Sequence, residues 1–229
     1  MTNIPIEGLD LSKEIKQNLP PDWRKYFSFS TDHKVIGVQY LVTAFTFFLI
    51  GGFLSMIVRA ELITPESDLI GRSLYNSVYT MHGTIMIFLW VFPSLVGLAN
   101  YLVPLMSGAR DMAFPRLNAI AFWMVPIFGI ILLASFLLPD GTAQAGWWVY
   151  PPVSIQNPSG KLINGQLLWI VAVAISGVSS IMGAVNFVAT IVKMRAPGMT
   201  YFRMPIFVWT VLSAQLIQLT GLPVLTAGA

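Results

Sequence analysis

The chain has 229 residues, of which 55% are hydrophobic and 10% are charged, with a mean hydropathy of +0.71 and a formal net charge of +3. A water-soluble domain carries roughly 25% charged residues, so this composition indicates that lipid is the solvent for most of the surface. The absence of cysteine excludes a disulfide framework, thiolate iron–sulfur ligation and cysteine zinc sites, and leaves histidine, carboxylates and backbone as possible ligands.

The first 34 residues are polar and contain five of the basic residues, with aromatic side chains near their end. No short apolar region follows a basic start, so the pattern does not indicate a cleaved signal peptide. The basic and aromatic character predicts that residues 1–34 form a solvated tail that lies on the cytoplasmic surface of the membrane.

Five long apolar segments without charged residues follow the tail. Each exceeds the about 20 residues that a helix needs to cross roughly 30 Å of hydrocarbon. The sequence therefore predicts an all-α fold, a polytopic transmembrane bundle of about five membrane-spanning helices. The predicted helices cover approximately residues 35–58, 73–105, 117–138, 162–192 and 204–229. Because the last one runs to Ala229 with no basic or aromatic residue after it, we expect the chain to be a truncated part of a longer polypeptide.

The basic residues predict the orientation of the bundle. Ten of the 13 Lys and Arg fall on one side, namely the five of the tail with Arg110, Arg116, Lys193, Arg195 and Arg203, against Arg59, Arg72 and Lys161 on the other. Cytoplasmic loops carry the excess of positive charge. We therefore expect a cytoplasmic amino terminus, outer loops at 59–72 and 139–161, and Asp111 on the inside.

A lone histidine, His82, lies in the second segment. It is about nine residues from the outer end, or about 14 Å at 1.5 Å per residue, which places it in the outer half of the membrane. A titratable side chain at this depth is costly, so one interpretation is a ligand of a metal or haem iron, with Gly83 leaving room for a flat macrocycle. The alternative is an imidazole that is hydrogen-bonded across helices to Ser or Thr.

Arg59 ends the first segment on the same outer side as His82. It has two interpretations. The guanidinium either reaches the interface and pairs with Glu61, or it donates a charge-assisted hydrogen bond to a propionate or carbonyl group of a cofactor.

A polar stripe runs along the fourth segment at the spacing of one helical face. It consists of Ser176, Ser179, Ser180, Asn186 and Thr190. Asn100, Asp111 and Asn118 gather at the same cytoplasmic end. Such side chains either form ordinary interhelical hydrogen bonds or hold ordered water that passes protons, with Asp111 collecting them at the mouth.

The outer loop contains the aromatic sequence GWWVYPP at 146–152. Its Trp147 and Tyr150 belong either to an interfacial aromatic belt or to the wall of a cofactor pocket. Elsewhere the chain carries no phosphate loop, nucleophile triad or nucleic-acid surface.

Six stretches, taken together, resemble subunit I of the haem–copper oxygen reductases of the cytochrome c oxidase type. The likeness extends from about Phe27 to the end, in the family's order and spacing. The stretches are STDHKVIGVQY (30–40), YTMHGTIMIF (79–88), NYLVPLMSGARDMAFPRLN (100–118), GWWVYPP (146–152), SSIMGAVNF (179–187) and MRAPGM (194–199).

The resemblance implies roles for individual residues. His82 matches the axial ligand of the low-spin haem a, and Arg59 matches the arginine that contacts its formyl group. Trp147 and Tyr150 match the loop near the haem propionates. The remaining matches lie along the D proton pathway: Asp111 at its entrance, Asn100 and Asn118 at its constriction, Asn186 as a further asparagine, and Ser176, Ser179 and Ser180 as water-holding serines. The proton interpretation of the polar stripe is therefore favoured.

Two departures from the family bear on these roles. Ala119 stands where the family often has a further asparagine, and Arg110 stands where it has a proline, so the mouth of the pathway is lined differently. Quinol-oxidising relatives carry polar residues at the positions of Ile50, Leu54 and Leu74. These three apolar side chains favour cytochrome c, or a similar one-electron protein, as the donor.

The resemblance implies the large subunit of a respiratory oxidase in a prokaryotic cytoplasmic, or other energy-transducing, membrane. It would work with subunits II and III, pass electrons from cytochrome c through haem a to a high-spin haem and copper, reduce O2 to water and pump protons. The ligands of the high-spin haem and of copper lie on later helices, so this chain alone is expected to be inactive. The alternatives are a quinol oxidase, a nitric oxide reductase large subunit and a non-redox transporter.

Overall fold

The computed structural model describes residues 23–65, 68–152 and 163–228. Most of the predicted tail, Lys161 and the first residue of the fourth predicted helix lie outside these ranges. The described residues contain no strand, and five helices are long and apolar enough to cross a membrane, which confirms the all-α prediction. These helices are α1 (His33–Glu61), α2 (Arg72–Ser107), α3 (Pro115–Leu137), α4 (Gly165–Lys193) and α5 (Ile206–Gly228).

The helix ends follow local chemistry. The Asp32 carboxylate accepts a 2.8 Å hydrogen bond from the Lys34 N–H and starts α1, so His33 and Lys34 belong to the helix, inside the span predicted as tail. Asn164 caps α4 in the same way through the Leu167 N–H, at 2.8 Å. Gly108, at φ 73°, ends α2 in the left-handed conformation that glycine adopts without strain.

The long helix α2 changes its winding near its middle. It is α-helical over Arg72–Ile85, π-helical over Met86–Val91 and α-helical again over Phe92–Ser107. Pro93 has no N–H, and its ring crowds the carbonyl four residues earlier, so a wider turn immediately before it relieves the clash. The π-helical turn separates the first part of α2, which carries His82, from the last part, which carries Asn100.

Glycines let α1 and α2 pack closely against each other. A Cβ on Gly37 would lie 2.9 Å from the Gly97 carbonyl oxygen, and one on Gly97 would lie 2.7 Å from the Tyr40 Cβ. Further along α1, a Cβ on Gly51 would lie 2.8 Å from the Met86 sulfur. Small residues permit such approach in membrane bundles, where dispersion replaces the hydrophobic effect as the main attraction between helices.

The other helices complete the bundle. α3 packs along α4, α4 along α5, and α1 also contacts α3. One buried apolar cluster joins α1, the first part of α2, α3 and the first part of α4. A second cluster joins the end of α2, the end of α4 and the start of α5. At that same end, the Ala196 N–H donates to the Ser107 carbonyl at 2.9 Å and ties the α4–α5 connection to α2.

The glycine contact between α1 and α2 makes a testable prediction. Gly37→Ala forces the two helix backbones apart, so we expect the folded state to lose about 1–3 kcal/mol, the usual cost of overpacking. Denaturant unfolding of the purified protein measures it. Gly71→Ala is the matched control, since an added Cβ there meets nothing within 4 Å. Equal stability of the two variants would contradict the packing argument.

Candidate functional site

His82 is held to α1 through one nitrogen. Its Nδ1 lies 2.8 Å from the Gly51 carbonyl oxygen. A carbonyl oxygen only accepts, so Nδ1 carries the proton and Nε2 keeps its lone pair. Among the described residues, Nε2 makes no hydrogen bond. The imidazole is therefore bonded across helices, but to a backbone carbonyl and not to Ser or Thr, and its second nitrogen is free to ligate a metal.

The surface beside His82 is short of side chains. A Cβ on Gly52 would meet nothing within 4 Å, and one on Gly83 would meet only the Trp147 Nε1, at 3.8 Å. Nowhere in the described ranges do three or more His, Asp or Glu cluster as a metal site. A single imidazole with a free nitrogen, flanked by glycines, fits a metal whose other ligands belong to a planar prosthetic group.

Aromatic rings form a wall next to this surface. Trp147 stacks on Phe88 with ring centroids 5.0 Å apart and planes at 5°, and meets Trp169 edge-on at 5.2 Å. The indole Nε1 of Trp169 donates to Thr84 at 2.9 Å. The Gly146 N–H donates to the Thr80 hydroxyl at 3.2 Å and fastens the outer loop to α2. These bonds hold Trp147 within one helical turn of His82.

Two other predicted cofactor residues lie further from this wall. The Tyr150 side chain is 75% exposed, and no hydrogen bond of it is found among the described residues. Arg59 is exposed and stands seven residues after Gly52, hence on the same helical face and about 10 Å along the axis. The alternative pairing of Arg59 with Glu61 is not found; the Glu61 carboxylate instead accepts the Ile70 N–H at 3.0 Å.

At the opposite end of the bundle, two predicted asparagines meet. The Asn118 Nδ2 donates to the Asn100 Oδ1 at 2.7 Å, and the Asn100 Nδ2 donates to the Val96 carbonyl at 3.0 Å. Both side chains are buried. The pair links α2 to α3 at the level where the chain leaves the bundle.

Asn186 and Thr190 hold the connection between α2 and α3. The Asn186 Oδ1 accepts the Phe114 N–H at 2.8 Å, and its Nδ2 donates to the Phe114 carbonyl at 3.3 Å. The Thr190 hydroxyl accepts the Ala113 N–H at 2.9 Å. Both ends of the Asn186 amide are thus engaged by backbone, and this clamp sets the position of Asp111 three residues before Phe114.

Asp111 has an unforeseen neighbour. Its Oδ1 accepts the Met112 N–H at 2.6 Å and lies 3.4 Å from the His33 Nδ1. His33 is only 3% exposed, whereas about a third of the Asp111 side chain, 35%, is exposed. Sequence reasoning assigned His33 to the tail and gave it no role. The sequence signal for its position is Asp32. Because Asp32 caps α1, His33 is the first residue of this helix and is buried in the bundle.

The serines of the polar stripe line a small, partly open cavity. A cavity of about 30 Å³ is bounded by residues of all five helices. The Ser179 hydroxyl donates to the Ala121 carbonyl at 2.7 Å, and a side-chain hydrogen bond joins it to Tyr40. The residues that line this cavity include Tyr40, Val96, Ser176, Ser179, Ser180 and Gly183. The volume suffices for a water molecule, which needs roughly 10–15 Å³ by this measure.

Two of the predicted asparagines are close in sequence to residues that line the cavity. Gly183 is one turn from Asn186, and Val96 is one turn from Asn100, which donates to its carbonyl. An added Cβ on Gly183 would meet nothing within 4 Å. Two of the predicted asparagines thus lie one helical turn from residues that line the cavity.

Comparison with known proteins identifies relatives of the whole described bundle. Residues 35–229 match the family described as cytochrome C and quinol oxidase polypeptide I. The chain is 55% identical over 207 residues to cytochrome c oxidase subunit 1 of Thermostichus vulcanus, covering 90% of this chain and 36% of that protein. Identity to cytochrome c oxidase subunit 1 of Synechocystis sp. is 52% over 205 residues, with coverage of 90% and 36%.

A more distant relative shows the same pattern. Cytochrome c oxidase subunit 1 of Corynebacterium glutamicum is 44% identical over 200 residues, covering 87% of this chain and 34% of that protein. The chain thus spans about a third of the length of the curated relatives that it matches.

The aromatic wall makes a prediction that concerns stability. Thr84→Val keeps the shape of the side chain but leaves the Trp169 N–H without its acceptor, so we expect a loss of about 1–3 kcal/mol of folding free energy. Thermal unfolding of the purified protein measures it. Thr46→Val is the control, since that exposed hydroxyl bonds only to the Val42 carbonyl of its own helix. A control as unstable as the test variant would refute the assignment.

Proposed function

Because the chain belongs to the cytochrome c and quinol oxidase polypeptide I family, we propose that its five helices are part of the large subunit of a proton-pumping respiratory oxidase. The observation that carries the proposal is the orientation of His82, whose Nδ1 is bonded to the Gly51 carbonyl while Nε2 stays free. Haem and copper are expected of this family.

His82 would hold the iron of the low-spin haem a through Nε2. The hydrogen bond from Nδ1 to the Gly51 carbonyl fixes the tautomer and the ring orientation. It also makes Nε2 a stronger electron-pair donor to a metal ion. Gly52 and Gly83 leave the adjacent surface flat, and Trp147 with Phe88 keeps water from it. Arg59 would offer a guanidinium to the polar edge of the haem. When bound, the haem supplies a one-electron carrier.

The predicted polar residues between Asp111 and the serines of α4 would carry protons from the cytoplasmic side. Asp111, partly exposed and 3.4 Å from His33, takes up a proton at the mouth. The hydrogen-bonded pair Asn100–Asn118 would narrow the proton pathway. Asn186 would maintain the shape of its entrance through hydrogen bonds to the Phe114 backbone. Ser176, Ser179 and Ser180 then face a cavity that is large enough for water. A proton advances there by hopping between hydrogen-bonded oxygens.

Four features support the wider assignment. The relatives are named cytochrome c oxidase subunit 1, and Ile50, Leu54 and Leu74 offer a quinol no polar partner, so cytochrome c is the proposed electron donor, through subunit II, with O2 as acceptor. The bacterial relatives favour a prokaryotic cytoplasmic membrane. Arg110, Arg116, Lys193, Arg195 and Arg203 share the Asp111 end of the bundle, which supports a cytoplasmic amino terminus. Family membership leaves the transporter alternative without support.

The haem assignment is tested in the assembled oxidase. His82→Ala removes the ligating nitrogen, so we expect the low-spin haem band to disappear from the reduced visible spectrum. His33→Ala, which changes the other histidine of the chain, should leave that band in place. A low-spin spectrum that survives His82→Ala would refute the assignment.

The proton assignment is tested by Asp111→Asn. The amide keeps the size of the side chain but cannot take up a proton, so we expect O2 turnover to fall by about tenfold or more and proton release to cease. Asp140→Asn, at the other end of the bundle, serves as control. Oxygen-electrode rates and proton release in vesicles give both values. Normal rates and normal proton release in Asp111→Asn would exclude the entry role.

A further inference from the structure

The serine-lined cavity has a second polar wall, on α5. Gln215 and Gln218 both line it, opposite Ser176 and Ser180. They stand three residues apart and so share one face of the helix. Gln215 is only 7% exposed, and the other buried residues of α5, Val208, Val211 and Leu212, are apolar. Gln215 is therefore the one polar side chain among the buried residues that the structure describes on α5.

These amides differ from the buried asparagines of the bundle. Asn100, Asn118 and Asn186 each have side-chain hydrogen bonds to protein groups. In contrast, Gln215 makes no side-chain hydrogen bond with any residue that the structure describes, and the same holds for Gln218. Neither amide is among the fully buried side-chain atoms that lack a partner, so both are open to the spaces that they line and can bond to water there.

The cavity can supply that partner. Its volume of about 30 Å³ accommodates a water molecule, and a buried water typically makes about three hydrogen bonds. The serine hydroxyls stand on one side of this space and the two amides on the other. An amide carries both a donor and an acceptor, so it can orient a water in either direction without itself gaining or losing a proton.

The glutamines also stand where the cavity meets a larger space. A half-open groove of about 600 Å³ runs between α2 and α5, and it is lined by apolar residues apart from Thr210 and the two glutamines. Phe92, Val96, Gln215 and Gln218 border both the cavity and the groove. The two amides are thus the polar part of the boundary between them.

We propose that Gln215 and Gln218 are positioning residues at the exit of the proton route, where they hold water against the serines and direct it toward the α2–α5 groove. The proposal rests on the proposed function. The proton passes along the water by breaking one O–H bond as the next one forms, so each amide is unchanged at the end. The glutamines extend the route from α4 to α5.

The experiment compares Gln215→Met, Gln218→Met and Thr220→Val in the full oxidase complex. Methionine retains the length of the side chain and removes its hydrogen bonds. Thr220 is on the same helix but lies outside both spaces, and its hydroxyl bonds to carbonyls of its own helix. We expect each Gln→Met change to lower O2 turnover and coupled proton uptake by about tenfold, as for the loss of one or two ordered hydrogen bonds, and Thr220→Val to change neither.

Further readouts separate positioning from a structural role. A rate limited by proton transfer should show a larger solvent deuterium isotope effect in the Met variants, with an unchanged haem spectrum and unfolding temperature. Gln215→Asn, which retains an amide, should recover part of the rate. Normal turnover with lowered thermal stability would mean that the amides only join helices, and would overturn the proposal.

Two further comparisons separate failure of this proposal from failure of the proposed function. Gln218 is only partly buried, so Gln218→Met carries the test by itself if Gln215→Met does not assemble. Asp111→Asn is measured beside these variants. If it slows turnover and the Gln variants do not, the α5 proposal fails and the proton route stands. If Asp111→Asn also has no effect, the proposed function fails first.

Discussion

The close approach of α1 to α2 is the contact on which the His82 end of the bundle depends. The His82 Nδ1 lies 2.8 Å from the Gly51 carbonyl oxygen, where a Cβ on Gly51 would crowd the Met86 sulfur at 2.8 Å and Ile85 at 3.1 Å. Gly37 and Gly97 repeat the arrangement further down the pair. One hydrogen bond then decides the tautomer, directs Nε2 away from α1 and leaves a surface between Gly52 and Gly83 without side chains. In hydrocarbon such a bond has no competition from water.

The other end of the bundle shows how a membrane interior separates structural polar groups from those that act on water. A buried amide costs free energy unless it is paired. Asn186 is paired at both ends with the Phe114 backbone, and Asn118 is paired with Asn100, so these groups fix geometry. Gln215 and Gln218 face a cavity without protein partners among the described residues, so they are suited to hold water. The same residue types thus serve two purposes according to what surrounds them.

Much of the fold and part of the site could be predicted from the sequence. Long uncharged segments predicted five membrane-spanning helices, because hydrocarbon excludes charged side chains and unpaired backbone. His82 stood out for the same reason. Residue spacing could not predict the hydrogen bond between Asn118 and Asn100 or the cavity beside Ser179. Each depends on how helices that are far apart in the sequence pack together. His33 was assigned to the tail because its capping neighbour Asp32 was read as tail as well, although the structure turns it toward Asp111.

The sequence by itself determined that lipid surrounds most of the surface and that the fold is all-α. It also determined the family resemblance and singled out His82 as the lone intramembrane histidine. These follow from composition and from the period of a single helix. Only the tertiary structure decided which nitrogen of His82 is free, that Trp147 lies beside Gly83, that Asn186 clamps a loop, and that two glutamines share a cavity with three serines. The reason is that a helical sequence states which residues lie on one face, whereas the partner of that face depends on interhelical packing, here controlled by glycines whose contacts cannot be read along one chain segment.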